Sequence, residues 1–109
     1  MINKDIQTQM EAAAFRGLIK HLQQRSDVQN IDIMNLAGFC RNCLSKWYLA
    51  AGKELDQDIN YDEAVEYIYG MSMAKWKQNH QTPASDEQIQ RFNDTKPLHA
   101  KISSRKTKT

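Results

Sequence analysis

The sequence predicts an all-α protein: one compact domain of five or six short helices, followed by a disordered basic tail. Apolar residues recur at intervals of three and four, and helix-capping residues separate these stretches. No strand-like alternation, internal repeat or glycine-rich phosphate loop is visible. With 109 residues, of which 40% are hydrophobic, the chain can build one core but not two. We therefore expect a helical domain in residues 1–93 and a tail in residues 94–109.

The first predicted helix runs from Asp5 to about Gln24. His21 falls within its apolar face, so we expect that His21 could approach the third helix in the core. Side chains spaced by three and four residues share one face of a helix. The residues that define this face are Ile6, Met10, Ala13, Ala14, Leu18 and Leu22.

The second predicted helix begins at Ser26, which forms a capping-box pattern with Gln29, and ends at Gly38. It is apolar nearly all round, and such helices are usually buried. Asp32 and Asn35 lie on it, so we expect both side chains to need internal hydrogen-bond partners.

The third predicted helix, from about Phe39 to Leu55, carries the two cysteines of the chain near its middle. At about 100° per residue, Cys40 and Cys43 lie on its apolar half beside Trp47. The pattern predicts a core position for all three side chains.

Three more helices are predicted from capping residues and helix stops. The last of them is followed by Pro97, which discourages its continuation. They are Tyr61 to Tyr69 after Asn60 and before Gly70, Met73 to about Asn79 after Ser72, and a short helix from Ser85 to about Phe92.

Charge divides the chain into two parts. Residues 94–109 contain five Lys and Arg against one acid, for a net charge of +4, while residues 1–93 carry a net charge of −2. A folded part without a basic stripe disfavours nucleic-acid binding, so only the tail could serve that purpose.

The beginning of the chain lacks the apolar run of a signal peptide, and no stretch is long and apolar enough for a membrane span. We expect a cytoplasmic protein that does not bind membranes. Two cysteines are too few for a disulfide framework, and the cytoplasm keeps ordinary thiols reduced.

Cys40 and Cys43 are the clearest chemical signal. Cysteines three residues apart on a helix could together bind zinc or iron, or form a redox-active disulfide, and His21 could be a third ligand. Free cysteine is also among the most buried residue types, and a structural zinc site needs four ligands. We favour simple packing over metal binding, and metal binding over redox chemistry.

A long motif resembles a known family. Residues 27–48 read DVQNIDIMNLAGFCRNCLSKWY, and the similarity continues through Tyr69-Gly70-Met71, Trp76-Lys77 and residues 88–92. This pattern resembles the short bacterial proteins of the family known as domain of unknown function 1244. The resemblance covers most of residues 10–93 and implies a bacterial, compact helical domain. It implies no activity.

The motif of this family places four polar residues beside the two cysteines, namely Asp32, Asn35, Arg41 and Asn42. The resemblance therefore indicates that any site lies where the second and third helices meet. No catalytic set is visible, so we assign no catalytic residue.

Three functions remain open. The first is a non-enzymatic interaction module that binds an unidentified protein partner or forms a homodimer. The second is a thiol-based metal or redox protein that uses Cys40 and Cys43, with two chains able to share one tetrahedral metal site. The third, which we rank last, is a nucleic-acid-associated protein that uses its tail.

Overall fold

A computed structural model describes residues 2–101, and residues 1 and 102–109 lie outside it. The described part contains helices and no strand, which confirms the all-α class. The helices are α1 Lys4–Gln24, α2 Asn30–Ala37, α3 Arg41–Glu54, α4 Tyr61–Tyr69, α5 Met73–Asn79 and α6 Asp86–Asp94, followed by a short 3-10 turn, Lys96–Leu98.

The core lies around α4, which contacts α1, α3 and α5. Trp76 is its buried tryptophan, and its ring meets Tyr69 edge-on with 5.4 Å between centroids. Trp47, which we expected at the centre, is only partly buried and packs against this core from α3. The buried cluster comprises Ile19, Leu44, Val65, Ile68, Tyr69 and Trp76.

Capping residues set the bounds of α4 as the sequence predicts. Asn60 accepts a hydrogen bond from the Glu63 backbone, and the Glu63 carboxylate accepts one from the Asn60 backbone. Gly70 ends the helix with φ at 76°, a left-handed conformation that favours glycine. Local chemistry therefore determines this element almost alone.

The start and the burial of α2 differ from the prediction. Gln29, not Ser26, is the N-cap, and the Gln29 backbone donates to the Asp32 carboxylate at 3.2 Å. No residue of α2 is fully buried, and Leu36 is 85% exposed. The prediction of a buried helix was wrong because α2 lies at the edge of the domain, where its principal helix neighbour is α6.

The predicted apolar face of α1 was only partly right, because Leu22 packs against the core whereas Ile6, Met10 and Leu18 are exposed. Ile19 is the buried residue of this helix, and Phe15 and Leu22 pack against the core. The sequence contains two apolar faces, and periodicity alone did not show which one the core would cover.

The predicted tail begins within ordered structure. Helix α6 continues to Asp94, and the backbone N–H of Ala100 donates to the Gly38 carbonyl at 2.7 Å. The His99 ring lies 4.7 Å from the Phe92 ring, centroid to centroid. Residues 94–101 therefore contact the domain, and the rest of the predicted tail, 102–109, lies outside the described residues.

Candidate binding cleft

The two cysteines lie at the start of α3, not near its middle. Cys40 is the N-cap of the helix, with φ at −150°, and Cys43 lies in the first turn. Both thiols are free and buried, with 5% and 7% of their residue surfaces exposed. Burial raises the pKa of the Cys40 thiol, so it stays protonated at neutral pH.

Both cysteines line an open cleft of about 380 Å³ between α2, α3 and α6. Its walls are mainly apolar, and the exposed or partly exposed side chains among them leave it accessible to solvent. The lining residues are Asn30, Ile31, Met34, Cys40, Asn42, Cys43, Lys46, Ile89 and Phe92.

Asn42 and Lys46 of α3 also line this cleft. They are four residues apart, which places their side chains on the same side of the helix. The Tyr69 hydroxyl donates to Asn42 Oδ1 at 2.6 Å, so the amide has its Nδ2 group available as a donor. Within residues 2–101, neither Asn42 Nδ2 nor Lys46 Nζ has a hydrogen-bond partner. The cleft therefore offers one neutral and one charged donor.

A buried arginine connects the cleft wall to α1. Arg41 is 1% exposed, and its guanidinium donates to the carbonyl oxygens of Leu22, Arg25 and Val28 at 3.3, 2.9 and 2.9 Å. It also donates to Asn30 Oδ1 at 2.9 Å. The Leu22 carbonyl lies in the last turn of α1, Arg25 is its C-cap and Val28 follows it, so the guanidinium lies near the negative end of the helix dipole, which favours a cation.

The same guanidinium lies over the Trp76 ring, with its central carbon 5.0 Å from the ring centroid. Burial lowers the pKa of Arg41, but a guanidinium remains charged at neutral pH. All of its hydrogen-bond partners are fixed parts of the fold, so Arg41 is a structural residue that positions α3 against α1.

The other two polar residues of the predicted site belong to a second network, between α2 and α6. The Asp32 carboxylate accepts from Gln88 Nε2 at 2.8 Å, and Asn35 Nδ2 donates to the Gln88 carbonyl at 3.1 Å. Asn35 Oδ1 is buried and has no hydrogen-bond partner within the described residues. Both side chains line a separate polar hollow of about 320 Å³ that includes Glu87 and Arg91.

The structure therefore distributes the four predicted polar residues over two networks. Arg41 and Asn42 are linked by a chain of hydrogen bonds through Asn30 and Tyr69. Arg41 donates to Asn30 Oδ1, Asn30 Nδ2 donates to the Tyr69 hydroxyl at 3.0 Å, and that hydroxyl donates to Asn42 Oδ1. Asp32 and Asn35 instead share Gln88. Burial raises the pKa of Tyr69 well above its usual range, so its hydroxyl remains a donor at neutral pH.

The structure does not bring His21 to the cysteines. His21 is exposed in the last turn of α1, and it is not among the residues that line the cleft. Within residues 2–101, no group of three or more His, Cys, Asp or Glu side chains is placed to share a metal ion. The predicted three-residue ligand set is therefore not assembled within one described chain.

Sequence reasoning missed Asn30, Lys46, Tyr69 and Gln88 as members of these arrangements. Asn30 and Lys46 lie within the motif quoted above, and Tyr69 lies in its continuation. Only their contacts across helices distinguish them from ordinary polar residues.

The fold and the cleft define a small all-helical domain with an apolar, two-thiol cleft and two unpaired donors on its wall. A family model described as protein of unknown function, DUF1244, matches residues 28–94, which is more than half of the chain. The chain belongs to this family, which confirms the resemblance. No protein with a curated description is similar enough to count as a match.

All residues that line the cleft lie within the matched segment, whereas α1 lies outside it. None of the helices in residues 2–101 has the length and apolar character needed to cross a lipid bilayer.

Proposed function

We propose that the protein is a non-enzymatic interaction module whose cleft binds an apolar, acidic segment of a partner protein. The observation that carries this proposal is the pairing of apolar walls with the two unpaired donors, Asn42 Nδ2 and Lys46 Nζ. Apolar walls supply affinity for buried side chains, and a few placed polar groups supply orientation.

The shape of the cleft supports a protein segment as the ligand. A volume of about 380 Å³ accommodates one or two large side chains, and Ile89 on the rim is 45% exposed. The cleft is bordered by helices on both sides, and grooves of this kind bind segments through apolar anchor residues. Met34 in the wall can change its side-chain conformation to accommodate different anchors.

Charge supports an acidic segment. A carboxylate that reached Lys46 would form a charge-assisted hydrogen bond, and the Asn42 amide could donate to the same group or to a peptide carbonyl. A basic segment would leave the ammonium of Lys46 beside a like charge. Selectivity for acidic over basic segments follows.

The experiment titrates the full chain with each of three labelled hexapeptides and monitors binding by nuclear magnetic resonance. The first peptide combines Leu and Phe with two Glu, the second replaces Glu by Lys, and the third replaces Leu and Phe by Ser. We expect the first to bind and to shift amide signals of α2, α3 and α6, with the other two at least about 10-fold weaker.

Charge reversal sharpens this test. Lys46→Glu should reverse the preference so that the Lys peptide binds better, while Lys53→Glu, on the same helix but outside the cleft, should change it little. If the first peptide produced no shifts at millimolar concentration, or if both variants behaved alike, the proposal would be wrong.

The alternative function, thiol-based metal or redox chemistry, is favoured by one observation: both thiols line the same cleft. Elemental analysis of natively purified protein tests it. Near-stoichiometric zinc or iron that disappears in the Cys40→Ala, Cys43→Ala variant would support two chains sharing one site. Under our proposal that variant contains no less metal than wild type and loses about 1–3 kcal/mol of stability through lost packing.

A further inference from the structure

Helix α1 has two apolar faces, and the domain covers only one of them. At about 100° per residue, the two faces lie roughly 180° apart. The covered face consists of Phe15, Ile19 and Leu22, which contact the core. The uncovered face is formed by Ile6, Met10, Ala13 and Gly17.

The uncovered face is accessible along most of the helix. Every residue of the first two turns, Lys4–Glu11, is exposed, and Ile6 and Met10 are 45% and 54% exposed. A helical segment whose residues are all exposed gains little stability from tertiary packing and is marginal in water by itself. A partner on this face would stabilise it by removing apolar surface from water.

We propose that the partner is a second copy of this chain, and that the two α1 helices pack against each other in antiparallel orientation through the uncovered face. The two domains then lie on opposite outer sides of the helix pair, because the core face of α1 points away from the contact. This dimer uses a surface separate from the cleft and does not depend on the function proposed for it.

The sizes of the side chains favour the antiparallel arrangement. With the two-fold axis between residues 11 and 12, Ile6 of one copy lies over Gly17 of the second, and Met10 lies over Ala13. A Cβ built on Gly17 meets no atom within 4 Å, so the site is open in the single chain. Each large side chain therefore faces a small one, as in knobs-into-holes packing.

The charges favour the same arrangement. Asp5, Arg16 and Lys20 share one flank of the uncovered face, and within residues 2–101 none of them has an ion-pair partner. Like flanks meet in an antiparallel pair. The proposed axis places Asp5 of one copy between Arg16 and Lys20 of the second, so opposite charges meet twice.

A parallel pair lacks both features. It would place the two Gly17 residues opposite each other and leave a gap at that level. It would also direct Asp5 towards the other flank, where Gln7 and Glu11 lie. The geometry therefore points to the antiparallel form.

The expected affinity is modest. The overlap spans about 16 residues, or about 24 Å of helix. One helix pair of this length buries on the order of 1,000 Å² in total, the low end for specific interfaces. We expect a dissociation constant in the micromolar range.

Sedimentation equilibrium of the full chain, from about 5 μM to 1 mM, measures the association. The mass should rise with concentration from that of the 12.6 kDa monomer towards twice this value. Gly17→Leu should weaken the dimer at least about 10-fold, because the new side chain occupies the space required by Ile6 of the second copy. Leu is a better helix former than Gly, so a folding defect would not explain the loss.

Thr8→Leu is the matched control, since it adds the same side chain on the side of α1 away from the proposed contact. It should leave the association unchanged. A wild-type chain that stays monomeric at 1 mM, or a Gly17→Leu chain that dimerises as tightly as wild type, would overturn the proposal.

A charge exchange tests the orientation. Asp5→Lys should weaken the dimer severalfold, and adding Arg16→Glu and Lys20→Glu should restore it, with circular dichroism confirming that helix content is preserved. Failure of the triple variant to recover association would exclude the antiparallel register.

Discussion

At the scale of single residues, Arg41 is a charged side chain that acts as a buried structural residue. Its guanidinium makes four hydrogen bonds that connect the end of α1, the α1–α2 connection and Asn30. Most buried arginines pair with a carboxylate, whereas this one uses carbonyl oxygens at a helix C-terminus, where the partial negative charge is favourable.

We predict that Arg41→Ala destabilises the fold by about 3–5 kcal/mol, because it leaves buried acceptors without donors and opens a cavity over Trp76. Arg41→Lys should recover only part of this loss, since one ammonium cannot replace a planar fork of donors. Urea unfolding followed by tryptophan fluorescence measures both.

The control for Arg41 is Lys53→Ala, an exposed substitution in the same helix that should change stability by less than about 0.5 kcal/mol. A loss below about 1 kcal/mol in Arg41→Ala would contradict the structural role.

Because Tyr69 is buried, we predict that the stability of the fold falls at alkaline pH. Burial raises its pKa above that of an unfolded tyrosine, so the folded state retains its proton at a pH where the unfolded state loses it. The stabilisation is complete below pH ~10 and is lost as pH rises further, at up to about 1.4 kcal/mol per pH unit. Burial of Cys40 adds the same trend from about pH 9.

Tyr69→Phe tests this explanation. The variant should be about 1–2 kcal/mol less stable at pH 7, since it loses the hydrogen bonds with Asn30 and Asn42. Between pH 9 and 11 its unfolding free energy should fall less steeply than that of wild type. Equal slopes would show that Tyr69 does not cause the dependence.

At the scale of elements, the glycines that end α2 and α4 differ in how closely another segment approaches them. Gly38 and Gly70 both end helices with positive φ, 79° and 76°. A Cβ on Gly38 would lie 2.5 Å from the Leu98 carbonyl oxygen, a backbone atom, whereas on Gly70 it would lie 3.1 Å from the flexible side chain of Gln23.

We predict that Gly70→Ala costs about 1–2 kcal/mol, the strain of a left-handed non-glycine residue. Gly38→Ala should cost clearly more, because it also displaces the segment that carries Leu98. Hydrogen exchange at the Ala100 amide, which donates to the Gly38 carbonyl, should accelerate in Gly38→Ala only. Equal losses in the two variants would contradict the close approach.

At the scale of the whole molecule, the segment 95–101 contacts two parts of the domain. It contacts both the α2–α3 connection, through Ala100 and Gly38, and α6, through His99 and Phe92. The His99 ring also lies 3.0 Å from the Thr95 hydroxyl. The segment thus joins elements that are distant in sequence.

We predict that a chain truncated after Asp94 is about 1–3 kcal/mol less stable than one truncated after Lys101, because the shorter chain loses the Ala100 hydrogen bond and the His99 ring contact. Thermal and urea unfolding of the two truncated chains measure the difference. Identical melting temperatures would show that this segment contributes nothing to the fold.

The sequence by itself determined the class of the fold and the bounds of most helices. The α4 and α5 bounds were predicted correctly because their caps and stops are local: the bonds of Asn60, Ser72 and Gly70 involve neighbours within a few residues. The motif of residues 27–48 also identified the family.

Only the tertiary structure decided which faces meet and which residues form the cleft. Two apolar faces on α1 were equivalent by periodicity, and packing on α4 selected the one with Ile19. His21 was thereby placed in solvent. The hydrogen bond between Tyr69 and Asn42 joins residues that are 27 positions apart in the sequence, and the one between Gln88 and Asp32 joins residues that are 56 positions apart. Such contacts depend on how whole helices are arranged, which local spacing does not specify.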